Sequence, residues 1–131
     1  MQCPRCAGTL ETVSYRGISV DRCTTCQGLW FDILEAETLR KVEGADRLDI
    51  GEPEGAPDHG RPGPISCPKC QTLMTSMVDK NDPDLTYEKC PVCYGVWFEA
   101  GKFRGFQQSG FWHSLKKRLS GKERRGAKRE T

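Results

Sequence analysis

The sequence predicts a small, metal-stabilised α+β fold written twice in tandem, and three observations predict it. All eight cysteines fall in C-x2-C pairs: Cys3/Cys6, Cys23/Cys26, Cys67/Cys70 and Cys90/Cys93. The stretch CTTCQGLWFD, beginning at Cys23, returns as CPVCYGVWFE at Cys90, so a cysteine pair, a glycine, a Trp-Phe step and a carboxylate recur at one internal spacing. The 131 residues also leave only about 40 per unit, near the size at which an apolar core alone no longer suffices and a metal or disulfides must help.

The first unit occupies residues 1–43. Two β-prone runs, Thr9–Tyr15 and Ile18–Asp21, are broken at Arg16-Gly17, which predicts a hairpin with Gly17 at positive φ. After the second pair, Asp32 and Glu35 stand three apart in the manner of a capping box. Ala36, Leu39 and Val42 recur at helical spacing, and Gly44 follows as a C′ residue, so one short helix closes the unit.

Residues 44–65 are rich in Gly, Pro and acids and poor in apolar residues, the composition of a linker. His59 lies there and reads as solvated, because each unit already offers four sulfurs to a metal. The second unit, 66–107, repeats the plan with a longer hairpin loop, DKNDPD at 79–84. Its oxygen-bearing side chains invite a calcium reading, but the sixth position is not Gly and Cys90 stands where a bidentate Glu is needed, so the loop reads as a polar turn. Glu99 in place of Asp32, together with Gly101 and Gly105, predicts a weaker second helix. Residues 108–131 form a basic tail. In it Trp112, Leu115 and Leu119 make an i, i+3, i+7 stripe, enough for a short amphipathic helix.

The cysteine spacing carries the chemistry. Two C-x2-C knuckles place four thiolates around one tetrahedral Zn²⁺, and the hairpin brings the second knuckle to the far side of the ion. The four pairs can group in three ways; the repeat, with one hairpin and one helix in each unit, favours one zinc per unit, two ions in all, with Cys3, Cys6, Cys23 and Cys26 as the first ligand set. Cys67, Cys70, Cys90 and Cys93 are the second. The fold class is a small metal-stabilised α+β unit in two tandem copies, each a β-hairpin with two C-x2-C knuckles and a short C-terminal helix. Pro4, Pro68 and Pro91 stiffen three knuckles. Gly8, Gly28 and Gly95 stand two residues after the second cysteine, where positive φ would aim backbone N–H groups at sulfur; Thr72 fills the fourth such place and should weaken that knuckle slightly. Arg5, Arg22, Lys69 and Lys89 adjoin cysteines and can offset the site's negative charge. Trp30-Phe31 and Trp97-Phe98 read as a miniature core against each hairpin, in preference to an exposed platform for stacking bases.

The segments CPRC and DRCTTCQGLWFDILEAETL resemble the small bacterial and archaeal zinc-ribbon family named after transcription factor IIB. That family shows a C-P-x-C-x-G start, a hairpin, then C-x-x-C-x-G-x-W-x-D and a short helix with a Glu. Cys3, Pro4, Cys6, Gly8, Cys23, Cys26, Gly28, Trp30, Asp32 and Glu35 match this pattern. In the second unit Cys67, Pro68, Cys70, Cys90, Cys93, Gly95 and Trp97 match, while Thr72, Glu99 and Lys102 depart. The resemblance implies a zinc-ribbon fold and suggests a transcriptional role; it implies no reaction.

Charge divides the chain. Residues 1–99 hold 10 Lys/Arg against 16 Asp/Glu, and residues 100–131 hold 10 against 2. With eight thiolates and two zinc ions the body is more acidic still. A closed four-sulfur site has no open coordination position, and no nucleophile–base pair or phosphate-cradling loop is evident, so no enzyme and no small-molecule substrate are expected. The expected partner is nucleic acid, met by Lys116, Lys117, Arg118, Lys122, Arg124, Arg125, Lys128 and Arg129. The alternative is an adaptor whose ribbons and tail dock a partner protein. Attraction to a membrane ranks last because the apolar face of the tail is short. No secretory signal or long apolar run is present, and reduced thiols suit the cytoplasm.

Overall fold

The computed structural model describes residues 1–51 and 64–108. Each unit opens with a hairpin. β1 (Leu10–Tyr15) and β2 (Ile18–Cys23) pair antiparallel, with Tyr15 facing Ile18. Arg16 and Gly17 turn the chain at φ of 53° and 84°, the doubly positive pair that a two-residue hairpin turn requires. In the second unit β4 (Thr75–Asp79) pairs with β5 (Asp82–Lys89). Its turn is tighter than the loop read at 79–84: Asp79 already faces Asp82, and an irregularity at Val78/Asp79 absorbs the extra residues.

Each second knuckle then feeds a three-residue strand, an element that the expected plan of hairpin, knuckles and helix does not contain. These are β3 (Leu29–Phe31) and β6 (Val96–Phe98), and they pair with one another: Leu29 faces Phe98, Trp30 faces Trp97, Phe31 faces Val96. The result is one six-stranded sheet in the order β1-β2-β3-β6-β5-β4. The units are therefore two halves of a single sheet, related by a local two-fold between β3 and β6.

Every residue of β3 and β6 is buried, because alternate side chains leave the sheet on opposite faces and both faces are covered. Phe31 and Phe98 join Leu39, Phe103 and Phe106 beneath the helices. Their rings pack edge-on or tilted, with centroids 5.6 Å apart for Phe31–Phe98 and 4.9 Å for Phe98–Phe106, contacts of about 0.5–1.5 kcal/mol each beyond area burial. Trp30 and Trp97 point the other way and join Cys3, Cys23, Cys67 and Cys90. The aromatic pairs are core, as the sequence suggested, but the core is shared between the units and neither is a miniature core of one hairpin. All four side chains are at 0 % exposure, so they form no platform on which bases could stack.

α1 (Glu35–Arg40) buries Ala36 and Leu39. Glu35 accepts a hydrogen bond from the Asp32 backbone N–H at 2.9 Å, one half of the expected capping box; the Asp32 carboxylate turns away to Lys69. Gly44, at φ 87°, leads into a short 3₁₀ helix, Ala45–Leu48, whose Ala45 and Leu48 are buried. Residues 44–51, which composition assigned to the linker, are thus packed on the body. His59 lies outside the described residues.

The second helix, α2, runs over 102–108 after Gly101 at φ 83°, and its cap comes from far away in sequence. The Asp49 carboxylate accepts the N–H groups of Gly101 at 2.8 Å and Arg104 at 3.0 Å. This remote cap and the burial of Phe103, Phe106 and Gln107 offset the weak local propensity. The helices also reach across the two-fold. Arg40 donates Nε to the Phe106 carbonyl at 2.9 Å, and Gln107 donates Nε2 to the Leu39 carbonyl at 3.3 Å. Arg40 is buried with Asp79 in an ion pair at 2.8 Å, so removing either partner alone would strand a charge at a cost of about 3–5 kcal/mol.

Candidate metal centres

The hairpins bring the knuckles together in the grouping expected: Cys3, Cys6, Cys23 and Cys26 form one cluster and Cys67, Cys70, Cys90 and Cys93 the other, with all sulfurs of a cluster within 4.8 Å of each other. Four sulfurs about 2.3 Å from a tetrahedral zinc lie about 3.8 Å apart. Cys3–Cys26 and Cys67–Cys93 stand at 3.7 Å, and Cys6–Cys23 at 3.4 Å. Each cluster can hold one zinc ion, and the ion would complete a closed four-sulfur shell.

The knuckle backbone is shaped for thiolate. In every knuckle the first cysteine accepts two backbone N–H groups, from the second and third residues after it. Cys3 takes those of Arg5 and Cys6 at 3.3 and 3.4 Å, and Cys23 those of Thr25 and Cys26 at the same distances. Cys67 and Cys90 repeat this with Lys69/Cys70 and Val92/Cys93. Such donors spread the negative charge of the sulfur.

The glycines do something other than the sequence suggested. Positive φ falls one residue earlier, on Ala7 (65°), Gln27 (66°), Gln71 (62°) and Tyr94 (65°), which close the knuckles in the left-handed conformation. Gly28 and Gly95 are required by close approach across the two-fold. A Cβ on Gly28 would stand 2.2 Å from Trp97 Cζ2, and one on Gly95 2.4 Å from Trp30 Cζ2. Gly8 sits against Thr25 and the Cys23 sulfur. Thr72 has the same hydrogen bond as Gly8: its carbonyl accepts the Cys67 N–H at 2.8 Å, as that of Gly8 accepts Cys3 N–H at 2.7 Å.

The electrostatics ask for a cation in each cage. The Cys3 thiol is drawn down to about 5, first by the hydrogen bond from Cys26 and then, against burial, by the N–H groups of Cys6 and Arg5. Burial pushes Cys6 up, and Cys26 is held high, chiefly by its bond to Cys3 and then by burial. In the second cage burial pushes Cys67 up to about 12. Burial acts in the same direction on Cys90, but the N–H groups of Cys93 and Val92 together outweigh it and bring that thiol down to about 7. Each cage by itself accommodates thiolate charge unevenly; four thiolates together need a divalent ion.

Two of the cations flanking the cysteines serve the sheet as well. Arg5 pairs with Glu99 at 2.7 Å and Lys69 with Asp32 at 3.0 Å, so each first knuckle is tied to the carboxylate that follows the Trp-Phe of the other half. Arg22 donates to the Leu48 carbonyl at 3.0 Å, and Lys89 lies 5.7 Å from the Tyr94 ring. Asp49 does not stand out in the sequence as a functional position, since nothing near it in the chain marks it as a cap. The basic residues from Lys116 to Arg129, and the Trp112/Leu115/Leu119 stripe, lie outside the described residues. No helix among the described residues is long and apolar enough to cross a membrane.

Hairpin, paired knuckles, four-sulfur cage and following short helix, twice over, define a tandem zinc-ribbon protein. The model of the transcription factor zinc-finger family matches residues 2–41 and again 66–104, more than half of the chain, and the chain belongs to that family. No curated protein and no solved structure matches it.

Proposed function

We propose that this zinc protein is non-catalytic and binds nucleic acid in a transcription-associated role, making its phosphate contacts with the basic C-terminal stretch. The observation that carries this reading is the segregation of charge, 10 basic against 2 acidic residues over 100–131 on an otherwise acidic chain. The family's description supports the setting. Closure of both cages by sulfur supports a structural use of the metal, since a tetrahedral ion with four thiolates has no position left for water or substrate. Burial of all four Trp-Phe aromatics makes them unable to stack bases, which supports the tail as the contact region in this reading.

The test is a salt series of binding to duplex and single-stranded DNA and to RNA, with the zinc-loaded chain and a variant with Lys116, Lys117, Arg118, Arg124 and Arg125 changed to Gln. The variant should bind at least ~10-fold more weakly and show a shallower slope of log K against log salt, by about one for each phosphate interaction removed. Equal affinity and slope would overturn the proposal. A second reading, a protein adaptor, is favoured by Leu73 and Val78, exposed at 60 % and 57 % at the β4 end of the sheet; a partner captured after nuclease treatment and lost on Val78→Asp would select it.

A further inference from the structure

The two-fold relates β3, α1 and the chain beyond them to β6, α2 and the chain beyond those by a constant offset of 67 residues, Cys23 answering to Cys90 and Trp30 to Trp97. It is obeyed closely up to the end of the helices, as the reciprocal bonds of Arg40 and Gln107 show. Beyond α1 the chain does not leave the body: the 3₁₀ helix Ala45–Leu48 fills a groove at the start of α2, burying Ala45 and Leu48 against the core that holds Val20, Leu29 and Phe31. Arg22 donates to the Leu48 carbonyl, Gly51 meets Ala100 and Gln27, and Asp49 caps Gly101 and Arg104.

The symmetry-equivalent groove lies at the start of α1 and is open, with a volume of about 180 Å³. Its walls are the counterparts of the filled one. Tyr87 stands for Val20, Lys89 for Arg22, Tyr94 for Gln27, Ile33 and Leu34 for Ala100 and Gly101, and Glu37 for Arg104. Its rim is apolar and unusually bare: Ile33, Leu34 and Tyr94 are 51 %, 69 % and 52 % exposed. Leu34 moreover holds a left-handed φ of 72°, where its counterpart is glycine and where a leucine side chain is strained. No contact within the described residues accounts for a leucine there.

We infer that this groove is the docking site of the chain's own segment 111–118. Applied to Ala45 and Leu48, the offset gives Trp112 and Leu115, which restore the same apolar i, i+3 pair with a larger first member. Applied to Asp49 it gives Lys116, which cannot accept N–H groups as the Asp49 carboxylate does, but Glu37 stands in place of Arg104 and offers that lysine an opposite charge. The reach is short, since Phe106 of α2 already lines the groove and the described helix runs to 108, three residues before the segment. Docking would cover the strained Leu34 and place Lys89 beside the carbonyl of Leu115, as Arg22 is beside that of Leu48. It would engage Lys116 with Glu37 and so withdraw that one residue from the proposed phosphate contacts, while the nucleic-acid proposal rests on the remaining basic residues and does not require the docking.

Hydrogen exchange and nuclear Overhauser measurements on the zinc-loaded full chain test this. Amides of 112–116 should exchange about 10-fold or more slower than in a free peptide of the same sequence, and the Trp112 indole should show Overhauser contacts to Ile33, Leu34 or Tyr94. Leu34→Asp should abolish both. Leu34 is exposed and aspartate tolerates its φ, so the cages should stay folded, as judged by zinc content and by unchanged protection of β2 and β5. Protection of 112–116 that is absent, that survives Leu34→Asp, or that grows with protein concentration as the chain dimerises would overturn the inference, the last by assigning the groove to a second copy. Nucleic-acid binding is tested separately by the salt series with the Gln variant, so failure of one proposal is distinguishable from failure of the other.

Discussion

If the close approach of Gly28 to Trp97 holds the halves of the sheet together, a single methyl group at Gly28 must separate them. An alanine Cβ there would lie 2.2 Å from Trp97 Cζ2, 2.6 Å from Cη2 and 3.0 Å from the Phe98 carbonyl oxygen. The ring is fully buried and the carbonyl belongs to the central strand pairing, so neither can yield by a rotamer change. Overpacking of this kind costs about 3 kcal/mol, the upper part of the usual range. Gly17 and Gly105 are the controls. A Cβ on Gly17 would meet nothing within 4 Å, but the residue holds φ 84°, so Gly17→Ala should cost only about 1 kcal/mol for its backbone. Gly105 lies in α2 with only Leu85 Cδ1 nearby at 3.7 Å, so Gly105→Ala should stabilise by about 0.5–1 kcal/mol. The assay is urea unfolding at fixed free zinc, because zinc binding is part of the folding free energy. Trp97→Phe removes the two ring carbons that the methyl would strike, so in the Gly28→Ala background it should recover part of the loss, giving a non-additivity of about 1–2 kcal/mol. Gly28→Ala no more costly than Gly17→Ala, or strictly additive with Trp97→Phe, would refute the reasoning.

Stripping the zinc with a chelator under reducing conditions should unfold both halves, seen as loss of β-sheet circular dichroism and of slow-exchanging amides in β3 and β6; a sheet that persists without metal would contradict the dependence on the cages. Trp30 Nε1 is buried with no hydrogen-bond partner, whereas Trp97 Nε1 donates to Glu99 at 3.0 Å. Asp32→Glu lengthens the equivalent carboxylate and should stabilise the chain by about 1 kcal/mol, measured by the same urea titration; destabilisation would show that the longer side chain does not reach. Burial raises the Asp49 carboxyl above its ordinary value despite the N–H groups of Gly101 and Arg104. The folded chain then holds that proton more tightly than the unfolded one, a contribution complete below the unfolded value of 3.8 and lost as pH rises through the folded value. Wild type should therefore gain stability relative to Asp49→Asn as pH falls from neutrality toward 3.8, and a difference that does not change with pH would exclude this linkage.

The cages and hairpins were legible because their causes are local. A C-x2-C knuckle closes on itself, and Arg16-Gly17 states its own turn. Trp-Phe burial was legible too, since the pair is the bulkiest apolar step in each unit. The element that covers them was not. β3 and β6 are three residues long, too short for an alternating pattern, and their partner is the other copy of the motif. The knuckle glycines illustrate the same limit: a glycine signals either positive φ or close approach, and only the position of Trp97 over Gly28 and of Trp30 over Gly95 decides between them. Asp49 caps a helix 52 residues later in sequence, so an acidic, glycine-rich stretch that looks like linker contains a structural residue. The basic tail was read from charge alone and lies outside the described residues.

The duplication has a physical reason once the strand order is known. A lone ribbon would present β3 as an edge, with unpaired N–H and C=O groups and three large apolar side chains, a template for unwanted association. Pairing β3 with β6 places both vulnerable edges at the centre of the sheet, gives each tryptophan a glycine to lie against, and lets Arg5 and Lys69 neutralise Glu99 and Asp32 across the boundary. Among the described residues the edge strands of the sheet are β1 and β4, the hairpin strands farthest from the shared core. Two cores too small to stand alone thus become one, with the metal sites on one face and the helices on the other. Among the described residues, the rim around Leu34 is exposed apolar ground beside this centre. The repeat supplies a matching segment of the same chain for that rim, just as Ala45–Leu48 covers its counterpart.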